Sequence, residues 1–159
     1  IYNWPQTTGI DITAETVAAL SEHPNIVAIK ESSGNLEKLQ QLIATVRPGF
    51  QVLSGSAPNL YLSLAAGAVG AVLAYANAAP YSCLTILEAF QKREYEAAKD
   101  WQNRIRRAAQ FVTTKYGVPG LKYAMDFNGY YGGPPRLPLV PVSRAAQEEI
   151  DSAFHGLRG

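Results

Sequence analysis

Residues 25–33 read NIVAIKESS, and this stretch sets the first strong constraint on the fold. Residues 26–29 are apolar or small at consecutive positions, which is typical of a strand covered on both faces in a parallel sheet. Period-two alternation places Lys30 and Ser32 on one face of this strand and Glu31 on the other. Glu31 is therefore badly placed to neutralise the charge of Lys30 directly.

Strand and helix patterns alternate on both sides of this stretch. Short apolar runs predict strands at residues 1–4, 25–30, 50–54 and 69–74. Helical patterns follow them at residues 13–22, 36–46, 58–66 and 79–92. Later helices are predicted at residues 94–116, 121–128 and 143–154, the last two separated by a loop rich in Gly and Pro. We therefore predict four βα units at residues 1–93 and a helical extension at residues 94–159, a pattern that suits an open flavodoxin-type sheet or part of a (β/α)8 barrel.

The composition predicts a soluble domain held together by its core. The 159 residues are 47% hydrophobic and carry a formal net charge of +1, which provides no field for nucleic acid or acidic lipid. No charged residue lies between Arg47 and Glu88, but Pro and Gly interrupt this region, so we expect no membrane-spanning helix. Cys83 has no second cysteine to pair with, and His23 and His155 cannot form a structural zinc site without other ligands.

Lys30 has the most distinctive chemistry among the residues at the strand ends. Ligands of parallel α/β folds gather at the carboxyl ends of the strands. One interpretation is a lysine that extends its amine to solvent. The other is a Schiff-base lysine, because desolvation lowers the pKa of an amine from about 10.4 and thereby increases the neutral nucleophile. Tyr2, one βα unit earlier, is either a packed aromatic residue or a proton shuttle beside that amine.

Five segments, in this order, resemble one known family. They are YNWPQTTG at residues 2–9, NIVAIKESSGN at 25–35, LSGSAP at 53–58, GAVGAVLAYAN at 67–77 and GVPGLKYAMDFNGYYGGPPRLPL at 117–139. The series resembles the dihydrodipicolinate synthase and N-acetylneuraminate lyase family, whose members are class I Schiff-base aldolases and lyases on a (β/α)8 barrel. It is most similar to the branch that contains 4-hydroxy-2-oxoglutarate aldolase.

The resemblance implies roles for individual residues. Lys30 corresponds to the Schiff-base lysine, and Tyr2 corresponds to the tyrosine that relays protons and positions the 2-oxo acid. The expected substrate-binding residues are Ser32, which alternation places on the face of Lys30, and Gly55, Ser56 and Val72. Family members that make dihydrodipicolinate usually carry Arg where this chain has Thr7. A threonine cannot clamp a carboxylate with two hydrogen bonds, which favours a lyase or aldolase with a different second substrate.

The resemblance also implies a mechanism and partners. The neutral lysine attacks the ketone of pyruvate or another 2-oxo acid, and the resulting iminium serves as the electron sink for forming or cleaving a carbon–carbon bond. We expect no metal and no dissociable cofactor, because the covalent imine supplies this chemistry. The expected partners are pyruvate, an aldehyde and further copies of the chain in a dimer or tetramer, without nucleic acid or membrane. We expect a cytoplasmic location, or a mitochondrial one in a eukaryote.

Two alternatives remain open at this point. One is a 2-oxo sugar acid dehydratase that uses the same lysine, and the other is a catalytically incomplete half-barrel. A complete (β/α)8 barrel needs about 250 residues, and the five motifs correspond to strands five to eight of the family's barrel and its helical tail. We therefore predict an α/β fold that is the C-terminal half of a TIM barrel followed by helices, and we expect the 159-residue chain to be inactive without the N-terminal half.

Overall fold

Four short parallel strands form the sheet of the first part of the chain. The computed structural model describes residues 1–157, and its contacts divide the chain into one unit at residues 1–73 and a second from Ala74 onward. The strands of the first unit are β1 (Tyr2–Asn3), β2 (Ala28–Glu31), β3 (Gln51–Ser54) and β4 (Gly70–Ala71). They pair in the order β1-β2-β3-β4, and every pair is parallel. The predicted α/β fold is confirmed.

Helices connect these strands and begin at well-defined caps. They are α1 (Pro5–Thr8), α2 (Ala14–Ser21), α3 (Leu36–Thr45) and α4 (Leu60–Ala66), the last preceded by a 3-10 turn at Ala57–Asn59. The Thr13 side chain accepts a hydrogen bond from the Thr16 N–H at the start of α2. Asn35 caps α3 in the same way by accepting from the Lys38 N–H. Each cap satisfies a backbone donor that the first helical turn leaves unpaired.

The helices bury one face of the sheet. Val17 of α2 and Leu42 of α3 are fully buried against Ile29 of β2, and Val52 of β3 belongs to the same cluster. Burying an aliphatic side chain of this size contributes about 1.5–3 kcal/mol, so this cluster is the main stabilising feature of the first unit.

The opposite face of the sheet is more open than the sequence predicts. The consecutive apolar residues before Lys30 predict a strand that is covered on both faces. In the structure Ala28, Lys30 and Leu53 on this second face are only partly buried, and Tyr2 is 49% exposed. The physical reason is that α2 and α3 pack on the face of Ile29, and no helix of the first unit covers the face of Lys30.

The second unit is helical. A 3-10 turn at Tyr75–Asn77 precedes α5 (Pro80–Gln91) and α6 (Tyr95–Gln110), a π-helical segment at Phe111–Lys115, α7 (Gly117–Phe127) and α8 (Arg144–Phe154). Its core includes Ile86, Ile105 and Ile150, all with no exposed surface. The rings of Tyr75 and Phe154 pack in the same core with centroids 5.7 Å apart. The loop between α7 and α8 is not helical, as its Gly and Pro content predicts.

Several element boundaries differ from the predictions. The strand predicted at residues 25–30 is shorter at its start and runs through Glu31, because Glu31 pairs with Asn3 and Ser54 on both sides. The turn predicted after Pro5 is the short helix α1, which Gly9 ends with a φ of 70°. The helix predicted at residues 94–116 changes into the π-helical segment after Gln110.

Two further predictions concern the whole chain. The division at residues 93 and 94 follows the strand–helix repeats rather than the contacts, and it stays a prediction. Among residues 1–157, no helix combines the length and the apolar character that crossing a membrane requires.

Candidate active site

Strands β1 and β2 bring Tyr2 and Lys30 together. The two residues are direct partners in the parallel register, so their side chains lie on the same face of the sheet. The Nζ atom of Lys30 lies 4.1 Å from the centroid of the Tyr2 ring. On its other side Tyr2 stacks against Trp4, with ring centroids 5.9 Å apart and an interplanar angle of 16°. The structure thus places a primary amine beside a phenol at the carboxyl end of the sheet.

Ser32 and Gly55 meet at the ends of β2 and β3. A Cβ atom at position 55 would lie 1.8 Å from Ser32 Oγ and 2.8 Å from Ser32 Cβ, so the close approach of the two strand ends requires glycine. The Gly55 N–H donates to the Glu31 carbonyl at 2.7 Å. Ser32 Oγ is buried and has no hydrogen-bond partner among the described residues. An unpaired buried hydroxyl is unusual in a folded protein.

Ser56 and Val72 occupy the ends of the two other strands. The Ser56 N–H donates to Ser54 Oγ at 3.3 Å, and the Val72 N–H donates to the Ser54 carbonyl at 2.9 Å. The Val72 side chain is 49% exposed. The six predicted site residues therefore follow the carboxyl edge of the sheet, with Tyr2 beside Lys30, Ser32 beside Gly55, and Ser56 and Val72 further along.

The face opposite Lys30 contains a buried polar cluster that the sequence analysis missed. We call Asn3, Asp11, Glu31 and Lys38 the Asn3 cluster. Asn3 Nδ2 donates to Asp11 Oδ1 and to Glu31 Oε2, each at 2.9 Å. Lys38 Nζ forms an ion pair with Asp11 Oδ1 and lies 4.0 Å from Glu31 Oε2. Asn3 and Glu31 are 1% and 2% exposed, and Lys38 is also buried.

The electrostatics of the Asn3 cluster follow from these contacts. The hydrogen bonds from Lys38 and then Asn3 lower the pKa of the Asp11 carboxyl below its ordinary value of 3.8. Glu31 Oε1 accepts a hydrogen bond of 2.6 Å from the Ser33 N–H, so both carboxylate oxygens of Glu31 have partners. The alternation of β2 predicts only that Glu31 faces away from Lys30. The partners of Glu31 come from three other segments, which no local pattern specifies.

Other reactive side chains do not gather at the carboxyl end of the sheet. Burial raises the pKa of the Cys83 thiol to about 11, so this cysteine is not a reactive nucleophile. His23 Nδ1 accepts a hydrogen bond from the Asn25 N–H in the turn after α2, and His155 is exposed. Within residues 1–157, no group of three or more His, Cys, Asp or Glu side chains is arranged to hold a metal ion.

Comparisons with known proteins agree with this geometry. The profile of the dihydrodipicolinate synthetase family matches residues 1–156. A 4-hydroxy-tetrahydrodipicolinate synthase of Exiguobacterium is 34% identical over 97% of the chain and 53% of its own length. A probable mitochondrial 4-hydroxy-2-oxoglutarate aldolase of Emericella nidulans is 32% identical over 97% of the chain and 50% of its own length.

A solved structure extends the likeness to three dimensions. The crystal structure of the Escherichia coli prophage protein YagE, of the dihydrodipicolinic acid synthase family and in complex with pyruvate, is 25% identical. It matches 98% of this chain and 54% of its own with a TM-score of 0.88. The chain spans about half the length of the curated relatives that it matches.

Proposed function

Because the chain belongs to the dihydrodipicolinate synthetase family, we propose that it carries the Schiff-base lysine of a pyruvate-dependent class I aldolase or lyase. The observation that carries this proposal is the pairing of Lys30 with Tyr2, whose ring centroid lies 4.1 Å from the amine. An amine nucleophile beside a phenol provides both groups that imine chemistry needs, a nucleophile and a proton donor or acceptor.

The proposed reaction begins at the Lys30 amine. The neutral amine attacks the keto carbon of the 2-oxo acid, and the carbinolamine takes up a proton and loses water to give an iminium. In the cleavage direction the 4-hydroxyl loses its proton, the bond between carbons 3 and 4 breaks, and an aldehyde leaves. The electron pair of that bond forms an enamine, which is protonated at carbon 3. Hydrolysis of the resulting iminium releases pyruvate and restores the amine.

We assign the proton transfers to Tyr2, because its phenol is the acid–base group beside the amine. Ser32 and Gly55 form one wall of the proposed pocket, and Ser56 and Val72 line it further along the strand ends. The unpaired hydroxyl of Ser32 supports its assignment as a substrate contact, since a substrate oxygen would satisfy it.

The remaining parts of the proposal concern cofactors and partners. The covalent imine removes the need for a dissociable cofactor, and the partners are a 2-oxo acid such as pyruvate and an aldehyde. Pyruvate is supported by its complex with the family member YagE. Thr7, which cannot clamp a carboxylate with two hydrogen bonds, favours an aldolase or lyase over dihydrodipicolinate synthesis. We further propose a cytoplasmic homotetramer, while one relative is named as mitochondrial.

A second proposal is that catalysis needs further strands around Lys30. The supporting observation is the half-open face of the sheet, on which Tyr2 is 49% exposed. Imine formation benefits from a site that excludes water, because desolvation favours the neutral amine. Four strands do not enclose that face, and a complete (β/α)8 barrel has eight.

Trapping with borohydride tests the proposed function. The protein is incubated with pyruvate and sodium borohydride, and the modified peptide is identified by mass spectrometry. We expect a stable adduct on Lys30, no adduct in the Lys30→Ala variant, and an unchanged adduct in the control Lys92→Ala, which removes an exposed lysine. Modification spread over surface lysines, or equal labelling of Lys30→Ala, would contradict the proposal. The experiment is done with the chain alone and with the protein that contains it together with the other barrel strands.

A further inference from the structure

The residues that follow Tyr2 and Lys30 in the chain are joined to each other on the buried face of the sheet. Asn3 and Glu31 are register partners in β1 and β2, and Asn3 Nδ2 donates to Glu31 Oε2 at 2.9 Å. Both side chains are at most 2% exposed. The hydrogen bond therefore lies directly behind the contact between the Lys30 amine and the Tyr2 ring.

The amide of Asn3 uses its whole hydrogen-bonding capacity in this position. Its Nδ2 donates to Glu31 and Asp11, and its Oδ1 accepts from the Ile12 N–H at 3.1 Å. Only an amide offers two donors and an acceptor on so short a side chain. Aspartate would place a third carboxylate next to two others, and alanine would leave both Glu31 and the Ile12 N–H without this partner.

Strand β1 has few other contacts that fix its register. It is an edge strand of two residues, Tyr2 and Asn3. Two backbone hydrogen bonds hold it to β2, from the Lys30 N–H to the Ile1 carbonyl at 3.0 Å and from the Ser32 N–H to the Asn3 carbonyl at 2.9 Å. A slip by one residue would move Tyr2 to the opposite face of the sheet. A buried side-chain bond between the strands opposes such a slip more strongly than two terminal backbone bonds alone.

From these contacts we propose that Asn3 and Glu31 are positioning residues, which act through their mutual hydrogen bond to hold the Tyr2 phenol against the Lys30 amine. This inference rests on the proposed function of Lys30 and Tyr2. Neither side chain touches the substrate side of the sheet, so both act on catalysis through the backbone of β1 and β2. Lys38 and Asp11 have a different task, which is to balance the charge of the buried carboxylate.

Kinetics of two variants test the proposal. Asn3→Ala removes the bond, and Glu31→Gln keeps the size of the side chain but loses one of its two acceptors. We expect each variant to lower kcat by about tenfold to a hundredfold with KM changed less than about threefold, because a small displacement of a catalytic group slows the chemical step. The double variant should be no slower than the slower single variant, since both changes break one bond.

A matched control separates positioning from loss of stability. Val17→Ala removes core packing beneath the sheet without touching the Asn3 cluster, and we expect it to lower the denaturation midpoint while kcat stays unchanged. A structural readout needs no turnover: the ε-methylene NMR signal of Lys30, shifted by the Tyr2 ring, should move toward its free-lysine position in Asn3→Ala and Glu31→Gln, and stay in place in Val17→Ala. If Asn3→Ala does not fold, Glu31→Gln carries the test.

The outcomes distinguish the two proposals. Failure of the wild-type protein to form the borohydride adduct at Lys30 would overturn the proposed function and, with it, the catalytic role of the Asn3–Glu31 bond. A wild-type adduct together with unchanged kcat and an unchanged Lys30 signal in folded Glu31→Gln would overturn only the positioning role. Equal losses of kcat in Glu31→Gln and Val17→Ala would also overturn it, because they would follow stability alone.

Discussion

The two faces of β2 give adjacent residues opposite tasks. Lys30 faces the Tyr2 ring on the half-open side, and Glu31 faces Asn3 on the buried side. If Glu31 lay on the face of Lys30, an ion pair would hold the amine in its charged, non-nucleophilic form. Strand alternation thus lets a lysine and a glutamate be neighbours in the chain without neutralising each other.

At Tyr2, replacing the hydroxyl alone separates its chemistry from its packing. Tyr2→Phe keeps the ring against Lys30 and Trp4 but removes the proton-transferring group. We expect kcat to fall by about 10²–10⁴-fold, the usual contribution of general acid–base catalysis, while the borohydride adduct at Lys30 and the melting temperature persist. The comparison is Tyr81→Phe on the exposed surface of α5, which should leave kcat unchanged. Wild-type turnover by Tyr2→Phe would exclude a proton-transfer role.

At Gly55, the close approach to Ser32 predicts a steric effect with a specific remedy. Gly55→Ala puts a Cβ atom 1.8 Å from Ser32 Oγ, and we expect it to lower the free energy of unfolding by about 1–3 kcal/mol. In Ser32→Gly/Gly55→Ala both nearest atoms are gone and the nearest remaining contact is the Glu31 carbonyl oxygen at 3.0 Å. Urea unfolding should therefore show that much of the loss is recovered relative to Ser32→Gly alone. An additive double variant would contradict the steric explanation.

The sequence allows the candidate site to be predicted only in part. Lys30 stands out because a charged residue ends an apolar strand, and alternation correctly assigns Glu31 to the opposite face. The Asn3 cluster could not be predicted in the same way. Its hydrogen bonds join residues that are 8 and 28 positions apart, and their geometry depends on strand register and on where α3 packs.

At the scale of elements, the Asn3 cluster ties the loop after β1 to helix α3. Asp11 lies in that loop, and its ion pair with Lys38 connects it to the first turn of α3. Removing one partner from a buried ionic group commonly costs about 3–5 kcal/mol, because the remaining charge is left uncompensated. Asp11 is largely exposed, so its own contribution is smaller than this range.

The lowered pKa of Asp11 predicts a pH-dependent contribution to stability. Because its pKa is lower in the folded state than the ordinary 3.8, ionised Asp11 stabilises the fold above that value. The contribution is lost as the pH falls through the folded-state pKa. Urea unfolding of wild type and Asp11→Asn should show a difference that is largest near neutral pH and shrinks below pH 3.8. The exposed control Glu22→Gln should show a smaller difference, and a pH-independent difference for Asp11→Asn would contradict the ion-pair explanation.

Element boundaries were less predictable than element order. The order of strands and helices follows from local periodicity, which is why four βα units and the later helices were expected correctly. The end of β2 depends on pairing with two neighbouring strands. The transition after Gln110 to a π-helical segment depends on packing within the second unit. Neither cause is local, so neither could be read from a window of residues.

At the scale of the whole molecule, the sheet has a covered face and a half-open face. The covered face holds the core cluster around Val17 and Ile29, which makes it the stable side. The half-open face holds Tyr2 and Lys30, the proposed catalytic pair. An amine in contact with bulk water is mainly protonated at neutral pH, and a barrel interior disfavours that charged form. The reactivity of the pair is therefore a property of the enclosure that surrounds it.

This dependence predicts that the chain needs additional strands for efficient turnover. We expect the 159-residue chain alone to release pyruvate from 4-hydroxy-2-oxoglutarate slowly or not at all. Supplying a polypeptide with the first four βα units of a family barrel should restore the reaction and slow the acetylation of Lys30 by an amine-reactive reagent, with exposed Lys92 as the internal reference. Turnover by the chain alone that added strands do not increase would show that the open face suffices. Protection of Lys30 without turnover would instead separate enclosure from catalysis, because a buried amine that stays inactive lacks a correctly placed proton donor.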